Sequence, residues 1–132
     1  MQLTGNTVLI TGGGSGIGRA LAEQFHQRGN KVIIAGRRKE RLAKTIDANP
    51  GMDSIELDIA SPESILDAAD FLIANYPKLN VVINNAGIMH IDDAATVLTD
   101  ELIVSTIETN LVGTIRMTSA LIEHLKSRTP LH

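Results

Sequence analysis

The segment from Thr11 to Gly18 reads TGGGSGIG, and it lies between the apolar run Val8-Leu9-Ile10 and a segment with helical periodicity. The N-terminus of a helix carries unpaired N–H groups and the positive end of the helix dipole. A turn without side chains at this junction lets an anionic group reach those N–H groups. The pattern therefore predicts a phosphate-binding turn, and the alternative interpretation is a plain tight turn between a strand and a helix.

The individual glycines of this turn have different expected uses. Gly12 permits a tight turn, Gly16 keeps the backbone accessible, and Gly18 lets the helix pack closely. The turn ends Gly-Ile-Gly-Arg, whereas nucleoside triphosphate transfer requires Gly-Lys-Ser/Thr at that place. The sequence thus favours binding of a phosphate group over its transfer.

The elements that must position this turn alternate along the chain. Short apolar runs rich in β-branched residues predict strands at 7–10, 31–35, 54–57 and 79–83. Longer amphipathic segments predict helices at 17–28, 38–48, from Ser61 to about 75, and 99–127. In the first helix, Ile17 shares the apolar face with Leu21 and Phe25. Such alternation predicts one α/β domain over residues 1–132, with a doubly wound parallel sheet covered by helices on both faces.

Composition excludes several other classes of protein. The chain has 132 residues, a net charge of −3 and no cysteine. Disulfides, thiolate zinc sites and a cysteine nucleophile are therefore excluded. The acidic balance argues against nucleic acid as a partner. No signal peptide and no apolar run of membrane-spanning length is evident, so we expect a cytoplasmic protein with no membrane partner.

Four segments of the chain together resemble the short-chain dehydrogenase/reductase family. In chain order they are Thr11-Gly12-x-x-x-Gly16-x-Gly18, Asp58 after the third predicted strand, Asn84-Asn85-Ala86-Gly87 after the fourth, and Asn110 in ETNLVGT. The resemblance covers the chain from Thr7 to about Leu125. It implies a Rossmann-type sheet of strand order 3-2-1-4 that lacks the later strands of the full family fold.

The end of the second predicted strand indicates which dinucleotide binds. An acidic residue there would bond the ribose 2′-hydroxyl of NAD, but this chain has Gly36 followed by Arg37-Arg38-Lys39. A guanidinium group holds a phosphate through two hydrogen bonds. We therefore expect NADP(H) to be preferred over NAD(H), with Arg37 as the main contact of the 2′-phosphate and Arg38 as its helper. The alternative is that these cations form a solvated helix start.

The resemblance also implies a set of site residues. The cofactor-binding set comprises Thr11, Gly12, Ser15, Gly16, Ile17, Gly18, Arg37, Arg38, Asp58, Ile59, Asn85, Ala86 and Gly87. Asp58 and Ile59 should border the adenine ring, and Asn85, Ala86 and Gly87 the ribose and nicotinamide. Asn110 should organise a water and the catalytic lysine in a proton relay. The alternative interpretations are that Asp58 is an ordinary turn residue and that Asn110 is a core asparagine bonded to backbone.

The family's proton-transfer groups are missing from these residues. The family uses a serine and a tyrosine with a lysine four residues later, whereas the single tyrosine here, Tyr76, has Asn80 at that distance and precedes the cofactor loop. The resemblance therefore implies a fragment of an oxidoreductase. Its parent would pass hydride between NADP(H) and a small-molecule carbonyl or alcohol, and the 132-residue chain alone is expected to be inactive.

Two other functions stay open. One is a non-catalytic module that binds a dinucleotide and dimerises, and the other is an inert relic of the fold. Segment 99–127 is apolar on two sides, which suits a homodimer partner or an intramolecular one equally. The first side comprises Ile103, Ile107, Leu111, Thr114, Ile115, Thr118, Leu121, Ile122 and Leu125, and the second Leu102, Val104, Val112, Met117 and Ala120. The substrate and the role of His90 have no signal in the sequence.

Overall fold

A computed structural model describes residues 4–14, 16–85 and 113–128. The strands are β1 (Thr7–Thr11), β2 (Lys31–Gly36), β3 (Asp53–Glu56) and β4 (Val81–Ile83). The helices are α1 (Gly16–Gln27), α2 (Lys39–Ala48), α3 (Pro62–Asn75) and α4 (Gly113–Arg128). Each predicted element within these ranges is confirmed, with its ends shifted by one or two residues. The first part of the predicted last helix, 99–112, lies outside the described residues.

The four strands form one parallel sheet of order β3-β2-β1-β4, which confirms the predicted order. In the centre of the sheet, Leu9 pairs with Ile33 on one side and with Val82 on the other. Because every strand runs in the same direction, all carboxyl ends meet at one edge. Open α/β sheets bind ligands outside that edge, at the point where the strand order reverses.

Helices cover the sheet on both faces, as the doubly wound fold requires. One core contains Leu9 and Ile33 of the sheet with Leu72 of α3 and Met117 and Leu121 of α4. The other core contains Val8, Ile10, Ala22, Val32, Ile34, Leu42 and Met52. Side chains of the central strands are therefore buried in both directions, which explains their uninterrupted apolar sequence.

Helix α4 uses only part of its apolar surface in the core. Met117 and Leu121 are fully buried, whereas Ile115 is 56% exposed and Ile122 36% exposed. Both predicted apolar sides are thus present in the described part of the helix. Each side contributes one of the two buried residues, since Leu121 belongs to the first side and Met117 to the second. Among the helices that the structure describes, none has the length and apolarity needed to cross a membrane.

Asparagines close the amino edge of the sheet. The Asn6 amide N–H donates to Asn30 Oδ1 at 3.0 Å, and the Thr7 N–H donates to Asn80 Oδ1 at 2.9 Å. Asn80 Nδ2 in turn donates to Asn6 Oδ1 at 3.0 Å. These bonds satisfy backbone groups that a strand start would otherwise leave unpaired. They tie together the starts of β1, β2 and β4, opposite the edge where the motifs lie.

Candidate functional site

The glycine turn joins β1 to α1 at the carboxyl edge. Gly12 and Gly16 have φ angles of +69° and +59°, which side-chain-bearing residues rarely adopt. The Gly12 N–H donates to the Ala35 carbonyl at 2.7 Å and so prolongs the ladder between β1 and β2. A Cβ added at Gly18 would overlap the Gly12 carbonyl oxygen and lie 2.6 Å from Asn85 Nδ2. The turn is therefore folded tightly against its own helix.

Ile17 lies in the first turn of α1, on the same row as Leu21 and Phe25, which pack against the core. It is 68% exposed at the start of α1, while Gly18 and Ala22 are the buried residues of that helix. Leu21 and Phe25 thus bury the later part of the predicted apolar face, whereas its first residue, Ile17, extends past the core. Ile17 instead presents an apolar side chain to solvent next to the bare helix end.

Thr11 connects the glycine turn to the loop after β4. Its buried hydroxyl accepts a hydrogen bond from the Asn85 N–H at 2.9 Å and donates to the Ile83 carbonyl at 3.5 Å. Asn85 Nδ2 also lies close to Gly18, since a Cβ atom placed on that glycine would be only 2.6 Å from it. The first and third of the four segments that carry the family resemblance thus meet at one place on the sheet edge.

The cations after β2 lie beside the same edge. Arg37 and Arg38 are exposed, and within the described part of the chain neither forms an ion pair. Arg38 occupies the N-cap position of α2 and makes no side-chain capping bond. Lys39, by contrast, lies 3.3 Å from Glu56 of β3. Two guanidinium groups are therefore available to an anion at the end of β2.

The loop after β3 is built around serine hydroxyls. The Asp58 N–H donates to Ser64 Oγ at 3.0 Å, and the Ser64 N–H donates to Ser61 Oγ at 3.2 Å. Asp58 Oδ1 accepts the Ala60 N–H at 3.0 Å, so the turn-forming role of Asp58 is real. Ile59 is 5% exposed and packs in the core beneath the loop. Both residues hold the loop in place at the edge.

An open groove of about 760 Å³ extends from the end of β2 along β3 to α3. Arg37 lines its end near β2, and the aromatic ring of Phe71 lines the α3 side. Four carboxylate side chains also line it: Glu56, Asp58, Glu63 and Asp67. Arg37 therefore stands among acidic neighbours, a feature that the order of residues in the sequence does not reveal.

Several predicted site residues lie outside the described residues, namely Ser15, Ala86, Gly87 and Asn110. Ser64 and Glu56 belong to the edge but were not predicted. For Ser64 a signal exists, because the S-P-E-S segment is typical of a helix N-terminus with side-chain capping. For Glu56 the sequence contains no such signal, because only the pairing of β3 with β2 brings this residue beside Gly36.

Tyr76 lies far from these motifs, at the amino edge of the sheet. Its hydroxyl donates to Asp53 Oδ2 at 2.6 Å, and Lys31 Nζ lies 3.0 Å from the same oxygen. Burial, with the hydrogen bond to Asp53 next, raises the pKa of Tyr76 to about 12. The hydrogen bond from Tyr76 lowers the pKa of Asp53. The position agrees with the expectation that Tyr76 is not the family's catalytic tyrosine.

This contact predicts a pH dependence of stability. Because the pKa of Tyr76 rises from the ordinary tyrosine value of 10.0 to about 12 in the fold, its contribution is complete below pH 10 and is lost between about pH 10 and 12. Tyr76→Phe should cost about 1 kcal/mol at neutral pH and almost nothing near pH 12. Urea unfolding of the wild type and of Tyr76→Phe, from neutral pH to about pH 12, measures the difference in their free energies of unfolding. A difference that does not shrink as the pH rises would contradict the prediction.

Comparison with known proteins identifies the family. A family model described as short chain dehydrogenase matches residues 6–130. The uncharacterized oxidoreductase DltE of Bacillus subtilis is 38% identical over 127 residues, which cover 95% of this chain and 50% of that protein. The oxidoreductase yciK from E. coli superposes with a TM-score of 0.81 at 25% identity, covering 92% of this chain and 53% of its own.

A further solved structure is that of L-sorbose reductase from Gluconobacter frateurii, complexed with NADPH and L-sorbose. It superposes with a TM-score of 0.79 at 25% identity over 97% of this chain and 50% of its own. The chain thus spans about half the length of the relatives named here. Because the family model extends over almost all of the 132 residues and the sheet has the order that the motifs imply, the chain belongs to the short-chain dehydrogenase family.

Proposed function

We propose that the carboxyl edge of the sheet binds NADP(H), and that the parent protein is an oxidoreductase acting on a small-molecule carbonyl or alcohol. When bound, the cofactor supplies or accepts hydride. The observation that carries the choice of NADP(H) is the pair Arg37 and Arg38, which follow Gly36 and have no ion-pair partner among the described residues. A guanidinium fork suits a 2′-phosphate, which NAD(H) lacks.

The glycine turn fits the pyrophosphate of such a cofactor. Gly12 and Gly16 have left-handed backbone angles, and there is no room for a Cβ at Gly13 or Gly18. The turn can therefore follow its path only without side chains, and it joins the carboxyl end of β1 to the N-terminus of α1. A phosphate group placed there gains those donors and the positive end of the helix dipole.

The remaining assignments follow from the family. We propose that Asp58 and Ile59 border the adenine ring, and that the ribose and nicotinamide lie near Asn85, Ala86 and Gly87. Thr11 holds Asn85 in place through the 2.9 Å bond to its N–H. Ser15 and Ile17 complete the pyrophosphate end, and Asn110 supports a proton relay. We also propose a cytoplasmic location and a homodimer through segment 99–127.

A non-catalytic dinucleotide-binding and dimerisation module is the second candidate. Two observations favour it for these 132 residues. The single tyrosine of these residues, Tyr76, is bonded to Asp53 at the amino edge of the sheet, and the residue four positions after it is Asn80 instead of a lysine. An apolar patch also remains on α3 and α4, where Leu66 is 60% exposed and Ile115 56% exposed. Such a patch suits pairing with another helix.

The deciding experiment uses the protein as its gene encodes it. Equilibrium titration with NADPH and with NADH should give a lower Kd for NADPH, and a panel of carbonyl substrates should be reduced with NADPH. Equal Kd values would refute the NADP(H) preference. NADPH binding without turnover of any substrate, together with a stop codon after His132, would favour the non-catalytic module.

A further inference from the structure

Glu56 places a carboxylate beside Gly36 at the end of β2, where the neighbouring residues along the chain include no acidic one. In the register of the sheet, Glu56 pairs with Gly36, so the two residues are neighbours about 5 Å apart on adjacent strands. Gly36 holds the position at which an acidic residue would select the ribose 2′-hydroxyl and repel a 2′-phosphate. The neighbouring strand therefore supplies a negative charge that would oppose NADP(H).

Lys39 counteracts that charge. Its Nζ lies 3.3 Å from Glu56 Oε2, and Lys39 is separated from Arg37 by one residue. Glu56 and Arg37 line the same groove, yet Arg37 forms no ion pair within the described ranges. Both partners of the Lys39–Glu56 pair are largely exposed, so solvent screens it and its contribution is modest.

We propose that Lys39 is a specificity-determining residue that acts through Glu56. By pairing with Glu56, it keeps that carboxylate from neutralising Arg37 and from repelling the 2′-phosphate. This inference rests on the proposed NADP(H) site. It predicts that loss of Lys39 penalises NADPH and not NADH, because only NADPH places a phosphate beside these charges.

Four proteins test the inference: the wild type, Lys39→Ala, Glu56→Gln and the double variant. We expect Lys39→Ala to raise the Kd for NADPH about three- to fivefold, the effect of one exposed ion pair, with the Kd for NADH changed by less than about twofold. Glu56→Gln in the Lys39→Ala background should return the Kd for NADPH to near the wild-type value. Lys44→Ala is the matched control, since it removes an exposed lysine farther along α2.

Comparison of the double variant with Glu56→Gln alone separates this role from a direct contact, because Lys39 has no role left once the Glu56 charge is gone. If Lys39 itself bound the phosphate, the double variant would bind NADPH more weakly than Glu56→Gln, and the inference would be overturned. It would equally be overturned if Lys39→Ala bound NADPH like the wild type while Arg37→Ala did not. Equal affinity of the wild type for NADPH and NADH would instead refute the NADP(H) site, and the inference with it. High salt should shrink the Lys39→Ala effect.

Discussion

Arg37→Ala is expected to weaken NADPH binding by about tenfold or more, and to change NADH binding by less than about twofold. Arg37 is exposed at the end of β2, and its guanidinium has no carboxylate partner among the described residues. Removal of the side chain therefore breaks no ion pair of the protein. In the proposed NADP(H) site it removes a charged hydrogen-bond donor for the 2′-phosphate, and such a bond is worth about 1.5–3 kcal/mol.

Isothermal titration of both cofactors measures this difference. Arg37→Lys should lie between the wild type and Arg37→Ala, because an ammonium keeps the charge but loses the two-bond grip. Lys44→Ala serves as the control for loss of a positive charge on α2. Equal losses of NADPH and NADH affinity in Arg37→Ala would show that Arg37 supports the site in general, and would refute its assignment to the 2′-phosphate.

Gly18→Ala is expected to destabilise the fold by about 1–3 kcal/mol and to weaken binding of both cofactors. Alanine is favoured over glycine inside a helix by about 1 kcal/mol, so helix propensity alone predicts the opposite sign. Packing decides, because the new methyl group would overlap the Gly12 carbonyl oxygen and approach Asn85 Nδ2 to 2.6 Å. The glycine turn must then move away from α1, which would distort the proposed phosphate site.

Thermal unfolding and NADPH titration of Gly18→Ala test both parts. Gly36→Ala provides the matched control for stability, since its Cβ would lie 3.5 Å from Leu42 Cδ2, an ordinary van der Waals distance. That variant should unfold at a temperature close to that of the wild type. A Gly18→Ala protein that is as stable as the wild type and binds NADPH equally well would refute the close-packing role of Gly18.

Much of the fold could be predicted because local patterns and the sheet agree. The apolar run Val8-Leu9-Ile10 is buried on both faces, as strands of a parallel sheet must be. Ser61 accepts the N–H of Ser64 at the start of α3, as the order Ser-Pro-Glu predicts. These features depend on residues within a few positions of each other, so they can be recognised in the sequence.

The site was predicted less completely, because its geometry depends on contacts between distant segments. Ile17 belongs to an apolar row by periodicity, yet it is exposed at the first turn of α1 while Leu21 and Phe25 of that row pack against the core. Thr11 is predicted as a cofactor residue, and the structure adds its hydrogen bond to Asn85, 74 residues away along the chain. The assignments of individual residues to NADP(H) remain predictions for the binding experiments.

The sequence by itself determined the order of strands and helices, the glycine turn and the cations after β2, because each is set by neighbours along the chain. Only the tertiary structure decided which charges share the edge. The register that pairs Gly36 with Glu56 places a carboxylate from β3 beside the arginines that follow β2, and Lys39 at the start of α2 lies 3.3 Å from that carboxylate. Coulomb interactions depend on distance in space, and that distance exists only after the strands have paired.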